Sequence, residues 1–468
     1  MGDAPGLLNL HRPAVTNPIP ARLALARSAL LRHFGFHGFR PAQRRVVQSV
    51  LAGRDTLAVL PTGGGKSVCF QVPAMVLDGL TVVVSPLLSL MQDQVESARR
   101  RGMAAAALNS AQAPAAQRAV LDAVKAGELR LLYVSPERLE RLAGRLTALG
   151  VRVGLLAVDE AHCISEWGHD FRPSYRLLLQ ARIRLGRPPV VALTGSATPE
   201  VRQDIAASLR LGAGGRWDLH LDSFDRANLW FGVERVRSDR ERFRVLLSQL
   251  APRRGTAIVY GPTRRITEGL ARSIHYAGFR CAAYHAGLDR ERREEVLHRF
   301  LSGGLDVVTA TSAFGMGIDK PDVRVVVHWM TPPTPESYYQ EAGRAGRDGA
   351  ASRCVLLFGT GDAELHRRQL DVTFPAERTV EAAWKDPAAL ARLPANVRES
   401  VERLRRELAP EDGPVDWRRI RTRRKRAEAR IAAMERYATT SRCRRGELLH
   451  YFGETLKECA GCDQHPRT

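Results

Sequence analysis

Three consecutive glycines followed by a lysine and a serine could hold the phosphates of a nucleoside triphosphate. They are Gly63, Gly64, Gly65, Lys66 and Ser67, directly after the apolar segment 57–60. Glycines let the backbone turn so that successive N–H groups point into one concavity, and the N-terminus of a following helix adds positive potential. Lys66 would contact the β- and γ-phosphates, and the Ser67 hydroxyl would help to hold a bridging Mg²⁺. The segment predicts a site that hydrolyses a nucleoside triphosphate, with a glycine-rich surface turn as the alternative.

Such a site needs a carboxylate partner, and a pair of acids supplies it. Segment 153–162, VGLLAVDEAH, has the pattern of a buried strand that ends in Asp159 and Glu160. Asp159 would hold Mg²⁺, and Glu160 would orient and deprotonate the attacking water. An acid pair alone is also typical of a helix cap. His162 is a candidate relay between the nucleotide site and a DNA site, with a buried structural histidine as the alternative.

The composition indicates a globular α/β protein with a polyanionic partner. The 468 residues are 44% hydrophobic and 6% aromatic, which fits roughly two to four domains with ample core. No apolar run approaches a membrane span, and the N-terminal residues lack the apolar stretch of a signal peptide, so we expect a cytoplasmic protein. The net charge of +21 favours nucleic acid as the partner over non-specific adhesion of a basic protein, because the same chain carries a predicted nucleoside triphosphate site.

The seven cysteines fall into two groups. Four occur singly in apolar segments and are expected to be buried and reduced: Cys69, Cys163, Cys281 and Cys354. The other three gather near the C-terminus with a histidine, at Cys443, Cys459, Cys462 and His465. One Cys-x-x-Cys pair with a distant cysteine and a histidine offers four ligands for a closed, structural Zn²⁺ site. A redox-active Cys-x-x-Cys is the alternative.

Short apolar runs alternate with helical patterns in two series, so each series predicts a parallel sheet with crossover helices. The first series places strands near 56–60, 81–85, 130–134, 153–158 and 190–194. The second places them near 256–260, 280–284, 305–309, 324–328 and 353–358. Only the first carries a phosphate loop, which suggests an ATP clamped between two lobes. Residues 418–426, RRIRTRRKR, lie in a later helical region and form either a solvated helix face or an arm that contacts phosphate.

The order of the motifs resembles that of the RecQ family of DNA helicases, from about residue 34 to 465 apart from the helical stretch in the 370s to 420s. The motifs include FGFHGFRPAQ (34–43), PTGGGKS (61–67), SPLLSLMQDQ (85–94), SPERL (135–139), TGSATP (194–199), SFDRANL (223–229), ATSAFGMGIDKPDVR (310–324) and YYQEAGRAGRDG (338–349). The loop has Leu60 where the strict P-loop pattern has glycine, and PTGGGKS is the form typical of superfamily 2 helicases. Gly195 and Ser196 stand where the family usually has alanine and threonine.

The resemblance implies two RecA-like parallel-sheet lobes and a C-terminal helical zinc-binding subdomain. The expected divisions are an N-terminal extension (1–22), lobe 1 (23–225), lobe 2 (226–360) and the helical and zinc-binding subdomain (361–468). By the same resemblance, Phe36 and Arg40 stack on the adenine and Gln43 hydrogen-bonds its edge. Thr62 belongs to the phosphate loop, and the segment that begins at Ser85 touches DNA.

The segment CISEWGHDFRPSY (163–175) resembles the aromatic-rich loop that sets RecQ enzymes apart from other helicases. Exposed Trp167 and Phe171 beside Arg172 would stack on unpaired bases, at roughly 1–3 kcal/mol per base. The alternative makes both aromatic residues core anchors. Glu166 stands where glutamine is common in the family.

Two arginines near the end of lobe 2 are candidates for the charge that neutralises the transferred phosphoryl group. Their three-residue spacing predicts that Arg344 and Arg347 share one helical face; a basic turn is the alternative. Arg347 would be the arginine finger, and Arg344 would contact phosphate or Glu160. Gln340 would sense the same phosphate. Asp319 would meet the ribose.

The resemblance implies an ATP-dependent helicase that moves 3′ to 5′ on single-stranded DNA in repair or recombination. Its expected partners are single-stranded DNA, duplexes with a 3′ overhang, and ATP with Mg²⁺, and we expect a monomer. An RNA helicase, and a DNA-dependent ATPase with weak unwinding or annealing activity, remain open. Many relatives continue into a winged-helix domain, whose hairpin splits the duplex, and a further helical domain beyond the zinc ligands, so the expectation of duplex opening rests on the two lobes alone.

Overall fold

The computed structural model describes residues 19–61, 63–109, 112–168, 170–251, 255–315, 320–408 and 415–465. Thr62 and Asp319, both assigned to the nucleotide site, therefore lie outside the described residues, as does most of the expected extension 1–22. Helix α1 (Ile19–Phe34) already begins inside that extension. Within the described ranges, no helix is both long and apolar enough to cross a membrane.

The first lobe is a seven-stranded parallel sheet with the strand order β3-β4-β2-β5-β6-β1-β7. Its strands are β1 (Asp55–Val59), β2 (Leu80–Val84), β3 (Ala105–Leu108), β4 (Leu131–Val134), β5 (Val153–Val158), β6 (Val190–Thr194) and β7 (Trp217–Leu221). Its helices after α1 are α2 (Pro41–Leu51), α3 (Val68–Ala74), α4 (Leu88–Arg100), α5 (Pro114–Lys125), α6 (Pro136–Ala148), α7 (Leu178–Arg184) and α8 (Pro199–Ser208).

The second lobe is a six-stranded parallel sheet with the strand order β10-β11-β9-β12-β13-β8. Its strands are β8 (Leu229–Arg235), β9 (Thr256–Tyr260), β10 (Cys281–Tyr284), β11 (Val307–Ala310), β12 (Val323–His328) and β13 (Ser352–Phe358). Its helices are α9 (Asp239–Leu250), α10 (Arg264–Tyr276), α11 (Arg290–Leu301) and α12 (Pro335–Ala342). Helices cover both faces of each sheet, and the apolar strands are accordingly buried.

The prediction of two parallel-sheet lobes is confirmed, and each of the ten strands predicted from apolar runs is present within one or two residues. Three further strands were missed. Strand β3 reads AAAL, and alanine favours helix by propensity. Strand β7 reads WDLHL with its apolar side chains exposed at the sheet edge, and β8 (LWFGVER) is interrupted by a glycine.

A third region of helices follows the second sheet. It comprises α13 (Asp362–Thr373), α14 (Glu377–Lys385), α15 (Pro387–Arg392), α16 (Ala395–Leu408), α17 (Trp417–Thr439) and α18 (Arg444–Tyr451). Helices α14 and α16 and the start of α17 share a small apolar core that includes Trp384, Leu404 and Ile420. The end of α17 packs instead against the second lobe, whereas helix α18 contributes Leu448 to that core and Leu449 to a core of the first lobe.

The C-terminal region packs against the connection between the two lobes, which we call the linker (residues 223–229). Arg445 is almost fully buried and bonds to Asp225 and to the carbonyl oxygen of Leu229. Phe452 stacks on Phe224 with ring centroids 4.4 Å apart. These contacts tie the C-terminal region to the segment about which the lobes would move.

Candidate active site in the cleft between the lobes

The phosphate loop connects β1 to α3, and its backbone geometry requires glycine. Gly63 and Gly65 have φ angles of 83° and 73°, which side chains other than glycine rarely adopt. A Cβ atom on Gly64 would lie 2.8 Å from the carbonyl oxygen of Pro61. Lys66 and Ser67 follow and lead directly into α3, where the helix N-terminus favours an anion.

The residues expected to read adenine are bonded to the phosphate loop in this structure. Arg40 donates from Nη1 to the carbonyl oxygen of Gly63 at 2.6 Å, and Gln43 donates from Nε2 to that of Gly64 at 3.0 Å. Phe36 lies at the rim of the cleft and is 56% exposed. Gln43 therefore braces the loop here, and an adenine contact would require its amide to turn away from the loop.

The acid pair lies at the carboxyl end of β5, beside the phosphate loop. Burial, and secondly the neighbouring Glu160, raise the pKa of Asp159, while Lys66 acts in the opposite direction. Gln94 donates to Asp159 Oδ2 at 3.0 Å, and the Tyr175 hydroxyl donates to the Asp159 carbonyl oxygen at 3.2 Å. A buried carboxylate with a raised pKa fits a site for a divalent cation, because the cation would offset the charge that burial disfavours. The sequence did not single out Gln94 for this role.

A chain of polar contacts leads from Glu160 to the second lobe. His162 Nδ1 lies 3.4 Å from Glu160 Oε2 and 3.0 Å from the Thr194 hydroxyl. Thr194 Oγ1 also accepts from the Ser196 N–H at 3.3 Å, and Gln340 donates to Ser196 Oγ at 2.8 Å. His162, the predicted relay residue, thus makes the first of the contacts that connect Glu160 with lobe 2.

The two candidate arginines lie in a turn, so the expectation of a shared helical face is wrong. Helix α12 ends at Ala342 with Gly343 as its C-cap, before either arginine. Arg347 Cγ lies 3.6 Å from the position that a Cβ on Gly63 would take, so this side chain crosses from lobe 2 to the phosphate loop. Arg344 is 8% exposed, and within the described part of the chain its Nε and Nη1 atoms have no hydrogen-bond partner.

The structure brings most of the predicted nucleotide-site residues to one cavity of about 800 Å³. Its predicted lining residues are Phe36, Arg40, Gln43, Gly63, Gly65, Lys66, Ser67, Asp159, Glu160, Gln340, Arg344 and Arg347. A second cavity of about 710 Å³ shares Glu160, Gln340 and Arg344 with the first and extends toward Arg172. The residues predicted to act in hydrolysis therefore lie where the two cavities between the lobes meet.

The aromatic-rich loop adjoins the second cavity, but its rings are less exposed than expected. Trp167 and Phe171 are half-buried, and Trp167 packs partly against the core of lobe 1. Arg172 donates from Nη1 to the carbonyl oxygen of Pro86 at 2.9 Å, which anchors the loop beside the end of β2. Ser85, expected to touch DNA, is fully buried at this end, so its side chain does not reach a DNA-facing surface here.

Arginines of the basic stretch 418–426 pack on the aromatic-rich loop, so a purely solvated helix face is wrong for them. Arg419 Nε donates to Glu166 Oε2 at 3.0 Å. The Arg426 guanidinium carbon lies 3.0 Å from the centroid of the Trp167 ring. Helix α17 thus covers the rings that the sequence assigns to base stacking.

We expect Trp167→Ala to lower DNA-stimulated ATP hydrolysis several-fold while basal hydrolysis falls less, because the ring offers a stacking face and contacts no phosphate ligand. The measurement is the steady-state ATPase rate with and without oligo(dT). Trp217→Ala is the matched control, since Trp217 lies exposed on β7 outside the two clefts. Equal losses of both rates together with a lower melting temperature would make Trp167 a core anchor.

The C-terminal cysteines converge with the predicted histidine. One ligand atom from each of Cys443, Cys459, Cys462 and His465 lies within 4.8 Å of the others. Cys462 Sγ lies 3.8 Å from Cys459 Sγ and 3.9 Å from Cys443 Sγ, close to the spacing of about 3.8 Å that tetrahedral Zn–S bonds of 2.3 Å impose. Burial acts to raise the pKa of the Cys462 thiol, but backbone N–H groups outweigh it and lower the pKa. The donor set fits Zn²⁺. Of the four scattered cysteines, Cys281 is only partly buried, unlike the other three.

Three family descriptions match the chain. The DEAD/DEAH box helicase family matches residues 40–205, the helicase conserved C-terminal domain matches 241–349, and the RecQ zinc-binding family matches 400–465. The first two matches fall on the two sheets and the third includes the Cys₃His cluster. Fold and site together define a helicase-type protein with two RecA-like lobes.

Similarity to individual proteins identifies the family within this class. The probable ATP-dependent DNA helicase RecS of Bacillus subtilis is 44% identical over 344 residues, which are 73% of this chain and 68% of that protein. The ATP-dependent DNA helicase RecQ of Haemophilus influenzae is 36% identical over 457 residues, which are 97% of this chain and 65% of that protein. The chain belongs to the RecQ family of DNA helicases. The match to the RecQ helicase of Bacillus subtilis, at 43% identity over 344 residues, spans 57% of that protein's length.

Solved structures agree on the fold. The Mycobacterium smegmatis helicase Lhr bound to single-stranded DNA and AMP-PNP has a TM-score of 0.56 at 22% identity, over 88% of this chain and 57% of that chain. Saccharomyces cerevisiae Dbp5 bound to RNA and ADP BeF₃ has a TM-score of 0.57 at 15% identity, over 87% of this chain and 98% of that chain. At these identities the likeness concerns the arrangement of the lobes.

Proposed function

We propose that this protein is an ATP-dependent DNA helicase that hydrolyses ATP between its lobes and moves 3′ to 5′ on single-stranded DNA. The observation that carries the proposal is the cavity of about 800 Å³ lined by the phosphate loop, the acid pair and Arg347 from the opposite lobe. A site divided between two lobes changes when they open or close, so hydrolysis can drive movement along a strand. We further propose a monomer acting in DNA repair or recombination, with the domain divisions expected from the sequence.

We assign each residue of the cleft a separate role in phosphoryl transfer. Lys66 and the backbone N–H groups of the loop hold the phosphates, while Glu160 accepts the proton of the attacking water. Arg347 neutralises charge that develops on the γ-phosphoryl group. Ser67 and Asp159 would hold Mg²⁺, which supplies charge neutralisation between the β- and γ-phosphates.

Two contacts provide a route from DNA to the hydrolytic residues. The Tyr175 hydroxyl at the end of the aromatic-rich loop donates to the Asp159 carbonyl oxygen. Movement of the loop would therefore shift the backbone of the acid pair. The contact between Gln340 and Ser196 joins lobe 2 to the relay that begins at His162. We propose that DNA binding adjusts both contacts and thereby stimulates hydrolysis.

The test is an ATPase and strand-displacement assay on duplexes with a 3′ or a 5′ overhang, with Lys66→Ala as the inactive control. We expect ATPase stimulation by oligo(dT) and displacement from the 3′ overhang. Stronger stimulation by oligo(U) than by oligo(dT) would instead favour an RNA helicase. Stimulation by DNA without displacement would favour a DNA-dependent ATPase that remodels or anneals strands.

Glu160→Gln is expected to lower the hydrolysis rate by about 10²- to 10⁴-fold while ATP still binds, because the amide keeps the shape and loses the base. Binding of a fluorescent ATP analogue and single-turnover hydrolysis separate the two effects. Asp93→Asn is a matched control, since Asp93 lines the same cavity and is not assigned to chemistry. Rapid hydrolysis by Glu160→Gln would show that another group activates water.

A further inference from the structure

The carboxylate of Glu166 is enclosed by arginines from two parts of the chain. Its side chain is 5% exposed and pairs with Arg176 from its own lobe and with Arg419 and Arg423 from α17. The Arg423 Nη2 atom lies 3.2 Å from Glu166 Oε1, yet it is buried and lacks a hydrogen-bond partner among the described residues. We call Glu166 and these three arginines the arginine cage.

The cage holds more positive than negative charge. Arg423 also pairs with Glu407 at 2.6 Å, so its charge is divided between two carboxylates. Burial, and secondly the positive charge of Arg423, lower the pKa values of Arg176 and Arg419. The guanidinium groups therefore repel one another, and the cage is stabilised by an anion that lies between them.

The same helix covers the rings of the aromatic-rich loop. Arg426 lies over the Trp167 ring at 3.0 Å and Arg423 over the Phe171 ring at 5.0 Å, each distance measured to the centroid. Arg430 donates a hydrogen bond to the carbonyl oxygen of Trp167. A base that stacks on the face of Trp167 that Arg426 covers must displace this guanidinium, because both would occupy the same face.

We propose that the arginine cage is a binding site for a backbone phosphate of single-stranded DNA, and that Glu166 occupies it as a latch when DNA is absent. The phosphate replaces the carboxylate among Arg419, Arg423 and Arg176, and Arg426 moves from the Trp167 ring to the strand. A base then stacks where the guanidinium lay. This inference rests on the proposed action on DNA and adds the residues of α17 to the strand-binding surface.

The latch predicts opposite effects for substitutions within one cluster. Glu166→Gln removes the competing charge and keeps the shape, so affinity for DNA should rise by roughly fivefold to tenfold. Arg419→Gln removes a phosphate contact, so affinity should fall by a similar factor. For this variant, the slope of log affinity against log salt concentration should also be shallower by about 0.7.

The experiment is the equilibrium binding of fluorescein-labelled oligo(dT), followed by anisotropy without ATP over a series of NaCl concentrations. Arg421→Gln is the matched control, because it removes one positive charge from the same helix at an exposed position outside the cage, and its affinity should change less than twofold. Thermal melting of each variant reports whether it is folded.

A fall in affinity for Glu166→Gln, or no change in a folded variant, would overturn the latch. An unchanged salt slope for Arg419→Gln would overturn the phosphate site, and Arg426→Gln offers the same test if the first variant does not fold. Failure of the wild-type protein to bind oligo(dT) at all would instead contradict the proposed function. If the wild type binds oligo(dT) but Glu166→Gln and Arg419→Gln do not change its affinity in opposite directions, only the proposal about the arginine cage is contradicted.

Discussion

Replacing Arg347 by alanine is expected to lower the rate of ATP hydrolysis at saturating ATP and DNA by about 10³- to 10⁵-fold. The Arg347 side chain crosses from lobe 2 to the phosphate loop, with its Cγ atom 3.6 Å from the Cβ position of Gly63. A guanidinium group delivered from the opposite lobe reaches the phosphate only when the lobes are correctly placed. Its loss therefore removes stabilisation of the transition state and leaves the other phosphate contacts intact.

The measurement is kcat from steady-state kinetics, together with the affinity for a non-hydrolysable ATP analogue. Arg272→Ala is the matched control, since Arg272 is exposed on α10 of the same lobe and lines neither cleft. Arg347→Lys should recover only part of the rate, because lysine keeps the charge and lacks the planar fork. A kcat for Arg347→Ala within tenfold of the wild type would assign the finger to another residue, with Arg344 the first to test.

Replacing Cys459 by serine is expected to abolish stable zinc binding and to unfold the region around α18. Zinc binding contributes roughly 10–16 kcal/mol in zinc-finger peptides, and helix α18 has only eight residues, too few to be stable alone. We propose that the ion is held by the three clustered cysteines and His465. His465→Ala should weaken zinc retention less, because water can replace a neutral ligand more easily than a thiolate.

Elemental analysis of protein purified without chelator, combined with limited proteolysis, measures both effects. Cys281→Ser is the control, because Cys281 lies on β10, at the edge of the second sheet opposite to β8, and should leave the zinc content at one ion per chain. Protein that contains no zinc, or a Cys459–Cys462 pair that cycles as a disulfide, would contradict the structural site.

The sequence predicted those parts of the fold that depend on long buried apolar runs. Strands such as β5 and β12 are buried over most of their length, so hydrophobicity alone marks them. Strand β7 was missed because it lies at an edge, where its Trp217 and Leu219 remain exposed and no apolar run is needed. Strand β3 is formed by neighbours in the sheet rather than by the preferences of its three alanines.

For the site, the sequence indicated which residues share the cleft but not which side chains they contact. Motif spacing brought Lys66, Glu160 and Arg347 together, because loops at the carboxyl ends of parallel strands meet at one edge. The bond from Gln43 to the phosphate loop depends on the side-chain orientation, which spacing does not determine. The ion pair between Glu166 and Arg419 joins residues that are 253 positions apart, so no local pattern could reveal it.

The segment that contains Cys462 also covers the free edge of the second sheet. Strand β8 ends the six-stranded sheet, and Cys462 forms a bridge to Phe231 on its free side. Asp463 donates from its backbone to the Phe231 carbonyl and accepts from the Val233 N–H at 3.1 Å. Unpaired edge strands are templates for pairing between chains. Loss of zinc would therefore leave backbone groups of β8 unpaired. Protein from which a chelator has removed the zinc should then associate by pairing of β8 strands from two chains, before either lobe unfolds.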